Sequence, residues 1–123
     1  MKYSKLADRV IGRAIEVHRL LGPGLLESTY EECLAYEFKT NGISFKRQVA
    51  LPVFYKEIKL DCGYRVDILV ENEIILEIKS VETLKEIHKA QILTYMKLAQ
   101  IKHGFIVNFN VKYLKKGLKS FVL

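Results

Sequence analysis

The sequence predicts an α/β domain with the element order ααβββαββ, on three observations. Apolar residues recur at helical spacing near the start of the chain and again in its second half. The middle is rich in β-branched and aromatic residues, and turn signals such as Gly22-Pro23-Gly24 and Asn41-Gly42 separate the segments. A length of 123 residues fits one domain, residues 1–123, with enough core to fold alone.

Two helices are expected before the first strand. Ser4 can cap the first helix, which carries an apolar face. That face consists of Leu6, Val10, Ala14, Val17 and Leu21. The second helix is expected from about Leu25 to Thr40, where Asn41-Gly42 stops it. A third helix is expected later, over about residues 82–100, with an apolar stripe along one side.

Three strands are expected between the second and third helices. They correspond to the segments ISFKRQVALPVFY, EIKLDCGYRVDILV and IILEIKSV. Pro52 predicts an edge or a bulge in the first, because proline cannot donate to a sheet ladder. After the third helix, FIVNFN predicts a short buried strand and KSFVL a last one.

The charge of the chain is unevenly distributed. The formal net charge is +6, and no Asp or Glu follows Glu86. That last segment carries Lys89, Lys97, Lys102, Lys112, Lys115, Lys116 and Lys119. A one-signed segment favours a polyanion partner, with nucleic acid first, although a solvated lysine face explains the same pattern equally well.

The cysteines and the apolar runs bear on the cellular compartment. Cys33 and Cys62 lack the spacing of a zinc site or a disulfide framework, so two buried thiols in a reducing compartment are expected. Charges interrupt the N-terminal segment, so it is not expected to be a signal peptide. No apolar run reaches about 18 residues, so no membrane partner is expected and the cytoplasm is the default location.

Charged residues stand at the ends of two apolar strands. Glu77 and Lys79 share a strand face, and the turn at residues 71–73 makes Asp67 an approximate cross-strand neighbour of Glu77. Two close carboxylates repel each other and stay ionised only with a cation between them. Oxygen ligands suit Mg²⁺ or Mn²⁺, and the lysine could act on a water or a phosphate. The alternative is an ordinary wet sheet face, on which Glu and Lys are common.

Two further segments support a site. Glu27 falls in the opening turn of the second helix, where it either complements the helix dipole or serves as a third metal ligand. Gln91 and Tyr95 are four residues apart on the third helix and share a face. Gln91 could orient a water, a lysine or a phosphate, and Tyr95 could donate to phosphate or belong to the core.

These motifs together resemble a known group of nucleases. The pattern DIL…LEIKS resembles the D…(D/E)xK motif of the PD-(D/E)XK nuclease superfamily, and QILTY looks like the QxxxY element of its RecB-like branch. The segment GLLESTY matches the pattern that names the GxxExxY protein family. HRLLGPGLLESTYEECL and GFIVNF also look like that family. One departure is Val66, which replaces the proline expected before Asp67.

The resemblance implies a restriction-endonuclease-like core, a mixed β-sheet flanked by helices. Asp67, Glu77 and Glu27 would hold Mg²⁺ or Mn²⁺, and the carbonyl of Ile78 would add a metal contact. Lys79 would be the catalytic lysine.

The same resemblance extends to residues outside the acidic cluster. Gln91 would match the QxxxY glutamine, with Tyr95 as its companion. His18 and Tyr30 belong to the GxxExxY pattern without an assigned role, and a lone His near a helix end is usually a dipole or packing partner.

The leading functional hypothesis is a magnesium-dependent nuclease that hydrolyses phosphodiester bonds, with DNA as the first substrate. Lys89, Lys97 and the other late lysines would grip the backbone, and no aromatic stacking platform is expected. The alternatives are a non-catalytic nucleic-acid-binding or assembly module with the nuclease fold, and a purely structural protein. Small nucleases of this type often act as homodimers or within larger complexes, an analogy that does not fix the state of this chain.

Overall fold

A computed structural model describes residues 3–123. Within this part of the chain lie three α-helices, namely α1 (Lys5–Leu21), α2 (Glu27–Thr40) and α3 (Glu86–Ala99). The strands are β1 (Phe45–Ala50), β2 (Val53–Tyr55), β3 (Ile58–Leu60), β4 (Arg65–Val70), β5 (Ile74–Lys79), β6 (His103–Asn108) and β7 (Leu118–Val122). A short 3₁₀ turn, Leu114–Lys116, precedes β7.

The main sheet has five strands in the order β1-β4-β5-β6-β7. Strands β5 and β6 run parallel and are joined through α3, whereas every other neighbouring pair is antiparallel. The predicted α/β class, with a mixed sheet flanked by helices as in restriction endonucleases, is therefore confirmed.

Helices cover both faces of this sheet. One buried cluster joins α1 and α2 to Ile68, Leu76 and Phe105, and the other joins α3 to Ile75 and Ile106. Side chains along β5 alternate between the two clusters, because the pleat of a strand points successive side chains to opposite faces. Glu77 and Lys79 consequently share the α3 face, while Leu76 and Ile78 pack beneath α1 and α2.

Local signals explain where α1 begins and ends. The Ser4 hydroxyl accepts a hydrogen bond from the backbone N–H of Ala7 at 3.1 Å, as expected for an N-terminal cap. Gly22 ends the helix with φ 69°, a conformation that glycine adopts without steric cost, and its N–H donates to the His18 carbonyl. No helix within residues 3–123 is long and apolar enough to cross a membrane.

The predicted element order was wrong in the middle of the chain, where five strands replace three. Pro52 interrupts the first segment, so β1 and β2 are separate. Residues 61–64 interrupt the second segment between β3 and β4. Gly63 there takes φ 79°, and its N–H donates to Asp61 Oδ1 at 3.1 Å. The outcome is a separate two-stranded β2–β3 hairpin beyond the end of the β1–β4 pair.

Two smaller predictions were also wrong. Helix α3 begins at Glu86 and not near Glu82. The backbone N–H of Lys85, the residue before the helix, donates to His88 Nδ1 at 3.1 Å, and this hydrogen bond fixes the start. The cysteines are not two buried thiols, because Cys62 is exposed and Cys33 is half-buried. Both cysteines are free, and a reducing compartment stays a prediction.

Gly117 lies where the chain enters β7, and its replacement by alanine should destabilise the fold by about 3 kcal/mol. An added Cβ would overlap the Asn108 carbonyl oxygen and lie 3.1 Å from Val111 Cγ2. Backbone cannot move aside cheaply, since the Asn108 N–H donates to the Gly117 carbonyl at 2.9 Å. Gly12→Ala is the matched control, because an added Cβ there meets nothing within 4 Å.

The control variant Gly12→Ala should itself stabilise the protein by about 0.5–1 kcal/mol, because it removes a glycine from the interior of α1. Urea unfolding of both variants measures the two effects. Equal stability of Gly117→Ala and wild type would contradict the close packing of β7 on the end of β6.

Candidate active site

The strands β4 and β5 separate at the end of their hairpin that lies away from the turn. Their paired register runs from Val70–Ile74 to Ile68–Leu76 and stops there. Beyond that point the Asp67 carboxylate takes the place of a backbone partner, since the Ile78 N–H donates to Asp67 Oδ2 at 2.8 Å. The Asp67 N–H approaches Glu77 Oε1 at 3.4 Å. The two predicted carboxylates therefore meet across the open end of the hairpin.

Burial and like charge raise the pKa values of both carboxyls. Burial, and then the charge of Asp67, raise the pKa of Glu77 to about 8, and Glu27 adds to the effect. The pKa of Asp67 is also raised, first by burial and then by Glu31. Lys79 lowers both pKa values, so its ammonium lies close enough to offset part of the charge. Without a further cation, the cluster has more carboxyl groups than it can keep ionised.

Glu27 reaches this cluster from the first turn of α2. The backbone N–H of Ser80, one residue past the end of β5, donates to Glu27 Oε2 at 3.0 Å. The Ser80 hydroxyl donates to the Leu25 carbonyl at 2.7 Å, which ties the loop before α2 to the same place. Three predicted acidic residues, Glu27, Asp67 and Glu77, are thus grouped around the end of one strand.

Tyr30 and His18 hold the surrounding loops, and both side chains are buried. The Tyr30 hydroxyl donates to the Gly22 carbonyl at 2.6 Å and accepts from the Leu25 N–H at 3.1 Å. Its ring stacks on Phe109 with centroids 4.3 Å apart. His18 Nε2 lies 2.7 Å from the Val111 carbonyl oxygen. These two residues fix the loops beside Glu27.

Sequence reasoning missed Glu31 and Gln48, which extend the cluster on the β1 side. Buried Glu31 binds Arg47 at 2.8 Å and accepts from Gln48 Nε2 at 2.7 Å. The same amide nitrogen lies 3.4 Å from Asp67 Oδ1, so Gln48 bridges the two acids. Gln48 takes φ 50°, a strained conformation for this residue type. The signal for Glu31 was its spacing, four residues after Glu27 on one helix face.

Gln91 and Tyr95 lie on α3 and are joined to each other. Gln91 Nε2 donates to the Tyr95 hydroxyl at 3.0 Å, and Tyr64 packs edge-on against the Tyr95 ring with centroids 5.9 Å apart. Burial raises the pKa of Tyr95, and the nearby charges of Glu77 and Asp67 raise it further. This pair therefore stands beside the acidic cluster on the α3 face of the sheet.

The two lysines predicted on α3 differ in their surroundings. Lys89 is half-buried and forms an ion pair with Glu86 at 3.3 Å. It does not share a face with Gln91, since residues two apart on a helix point in different directions. Lys97 is exposed and forms no ion pair within residues 3–123. Of the two, Lys97 is the better placed to meet a polyanion.

The residues at the hairpin end have the chemistry of a site for a hard divalent cation. Asp67 and Glu77 supply anionic oxygen donors, and Lys79 alone leaves an excess of negative charge. Across the described chain, however, no group of three His, Cys, Asp or Glu side chains converges closely enough to hold a metal. In the present arrangement the Asp67 and Glu27 carboxylates accept hydrogen bonds from backbone N–H groups.

Comparison with known proteins gives the family. The family model of the PD-(D/E)XK nuclease superfamily matches residues 4–121, which is nearly the whole chain. The chain belongs to this superfamily. Nucleases of the superfamily act on nucleic acids and generally use divalent metal ions. Searches of curated proteins and of solved structures give no match.

Proposed function

We propose that this protein is a Mg²⁺- or Mn²⁺-dependent nuclease that hydrolyses phosphodiester bonds, with DNA as the first substrate. The observation that carries the proposal is the meeting of Asp67 and Glu77 across the open end of the β4–β5 hairpin, with Lys79 beside them. Membership of the nuclease superfamily supports the same reading. Within the superfamily, the GLLESTY and QILTY segments favour the GxxExxY group and the RecB-like branch.

Asp67, Glu77 and Glu27 are the residues that would hold the metal, with the carbonyl of Ile78 as a neutral donor. When bound, a divalent ion neutralises charge on the phosphate and lowers the pKa of a water molecule. Glu31 and Gln48 position Asp67 through the contacts described above. Tyr30 and Ser80 hold the loop that precedes Glu27 and the start of α2.

Lys79 acts on the substrate in this proposal. An ammonium group at the end of β5 stabilises the negative charge that develops on the phosphoryl oxygens. The Gln91 amide orients Tyr95, whose hydroxyl can donate to a phosphate. Each of these groups lies on the α3 face, so the substrate approaches from that side.

The late lysines hold the nucleic-acid backbone without reading its sequence. Ion pairs within residues 3–123 include only Lys89 from this set. The others, Lys97, Lys102, Lys112, Lys115, Lys116 and Lys119, are therefore available to phosphate. A backbone grip of this kind predicts binding that weakens steeply as salt concentration rises.

Calorimetric titration with Mn²⁺ or Mg²⁺ tests the proposal, followed by cleavage assays on single-stranded and duplex DNA and RNA. Asp67→Ala should remove metal binding and cleavage together, because it removes one of the two anionic donors at the end of the hairpin. Glu73→Ala is the matched control, since Glu73 is an exposed acid at the turn end of the same hairpin. It should behave as wild type.

Absence of metal binding by the wild type, with and without a short oligonucleotide, would overturn the nuclease assignment. If such a protein still bound DNA with steep salt dependence, it would be the non-catalytic module. Cleavage by a correctly folded Asp67→Ala variant at the wild-type rate would overturn the assigned site.

A further inference from the structure

The β2–β3 hairpin exposes large apolar side chains that no other part of the described chain covers. Tyr55 is 59% exposed and lies on one face of the hairpin with its partner Ile58 and with the next pair on that face, Val53–Leu60. Phe54 is 63% exposed and lies on the opposite face with its partner Lys59. Tyr64, just before β4, adds a third partly exposed aromatic ring. Contiguous exposed apolar surface of this kind usually marks a binding site.

Lysines accompany the aromatic rings of the hairpin. Lys59 is the cross-strand partner of Phe54, and its Nζ lies 5.9 Å from the centre of the Phe54 ring. Lys56 Nζ lies 5.5 Å from the centre of the Tyr55 ring. Neither lysine forms an ion pair within residues 3–123, and the one acid of the hairpin, Glu57, lies in the turn. Aromatic faces beside unpaired ammonium groups match a ligand with flat rings and phosphates.

A groove lies between the Val53 side of the hairpin and helix α3. It has a volume of 530 Å³ and runs between Val53 and Tyr64 on one side and helix α3 on the other. Gln91 and Tyr95 line its α3 wall. Tyr95 packs on the face of the sheet that carries Ile75 and Glu77, so the groove and the candidate active site lie on the same side of the sheet.

We propose that the Tyr55 face of the hairpin and this groove bind single-stranded nucleic acid by stacking its bases on Tyr55 and Tyr64. Single-strand-binding proteins combine aromatic rings with a positive surface, since every base has a face that can stack. In a duplex those base faces are covered by neighbouring bases, so the hairpin gains little from duplex DNA. This inference rests on the proposed nuclease function and assigns its substrate as a single strand or an unpaired end.

Binding of a fluorescently labelled oligo(dT) and of a duplex of equal length, measured by polarisation, tests the proposal. Ca²⁺ replaces Mg²⁺, and a gel verifies that the strands stay intact. Tyr55→Ala should weaken oligo(dT) binding by about 5- to 150-fold. Phe54→Ala, on the opposite face of the hairpin, should weaken it by less than about twofold. Duplex binding should change by less than about twofold, because the duplex contacts the lysines and not the rings.

Salt dependence separates the rings from the lysines. The alanine variants carry the same charge as wild type, so the slope of log Kd against log salt should not change. Lys56→Gln, beside the Tyr55 ring, should reduce that slope by about one for the single strand. Tyr36→Ala is the matched aromatic control, since Tyr36 is equally exposed but lies on the face of α2 away from Glu27. It should bind both ligands as wild type does.

Unchanged oligo(dT) affinity in Tyr55→Ala, or an equal loss for the duplex, would overturn the proposal. So would a wild-type dimer in sedimentation that Tyr55→Ala dissociates while single-strand affinity stays intact, because the surface would then join two copies. If the wild type cleaves duplex DNA and the hairpin variants behave identically, only the single-strand assignment fails. If the wild type binds neither ligand, the nuclease proposal fails with it.

Discussion

Replacing Lys79 with alanine is expected to slow metal-dependent cleavage by about 10²- to 10³-fold. The reason is that, in the proposed mechanism, its ammonium group stabilises charge that develops only in the transition state. Metal affinity should stay within a few fold, since Lys79 supplies no donor atom to the cation. Single-turnover cleavage of an end-labelled strand measures the rate, and calorimetry measures the metal affinity.

The control for this experiment is Lys46→Ala. Lys46 is exposed on β1 and pairs with Leu69, near the turn that joins β4 to β5. It should cleave at the wild-type rate. Lys79→Arg should recover only part of the activity, because a planar guanidinium cannot take the place of a compact ammonium. Full activity in Lys79→Ala would show that the lysine is an ordinary surface residue of the sheet.

Replacing Glu77 with glutamine is expected to stabilise the metal-free protein by about 2–4 kcal/mol at pH 8 while abolishing cleavage. Burial and Asp67 raise the Glu77 pKa from 4.5 to about 8 in the folded protein. The folded state thus holds a proton that the unfolded state releases, and stability falls as pH rises between these two values. Glutamine is neutral throughout, so it avoids this loss.

Urea unfolding at pH 5.5 and pH 8 in EDTA measures the effect. The advantage of Glu77→Gln over wild type should grow from the lower to the higher pH. Adding Mg²⁺ at pH 8 should stabilise wild type and not the variant, because a ligand stabilises only the state that binds it. Glu73→Gln, at the exposed turn of the hairpin, should show no pH-dependent gain. A gain for Glu77→Gln that is the same at both pH values would contradict a raised pKa of Glu77 in the folded protein.

The sequence was sufficient to predict which residues of the candidate site lie together on the β4–β5 hairpin. Asp67, Glu77 and Lys79 could be placed because strand side chains alternate and the turn at residues 71–73 sets the register. Glu27 followed from the helix start after Gly24. These inferences need only local periodicity and one short turn, which a single sequence displays directly.

The parts that the sequence did not reveal depend on contacts between distant segments. Glu31 lies in the site because α2 packs beside β1, where Arg47 and Gln48 receive its carboxylate. The strained backbone of Gln48 has no local sequence signal. The sequence predicted the β2–β3 hairpin as parts of two longer strands, since Pro52 and Gly63 are only single interruptions in β-rich sequence. Exposure of its aromatic rings is a property of the folded chain and not of composition.

The closure of the chain below the hairpin has a consequence for how this protein can evolve. The Leu51 N–H donates to the Tyr64 carbonyl at 2.9 Å, which extends the β1–β4 ladder by one step and holds the two ends of residues 52–63 together. Between these ends, the β2–β3 hairpin forms a separate two-stranded sheet. Residues there can be exchanged, lengthened or lost without shifting the register that places Asp67 opposite Glu77. If the proposed functions hold, selection can alter ligand preference in one exchangeable segment while the candidate site at the strand ends is inherited unchanged.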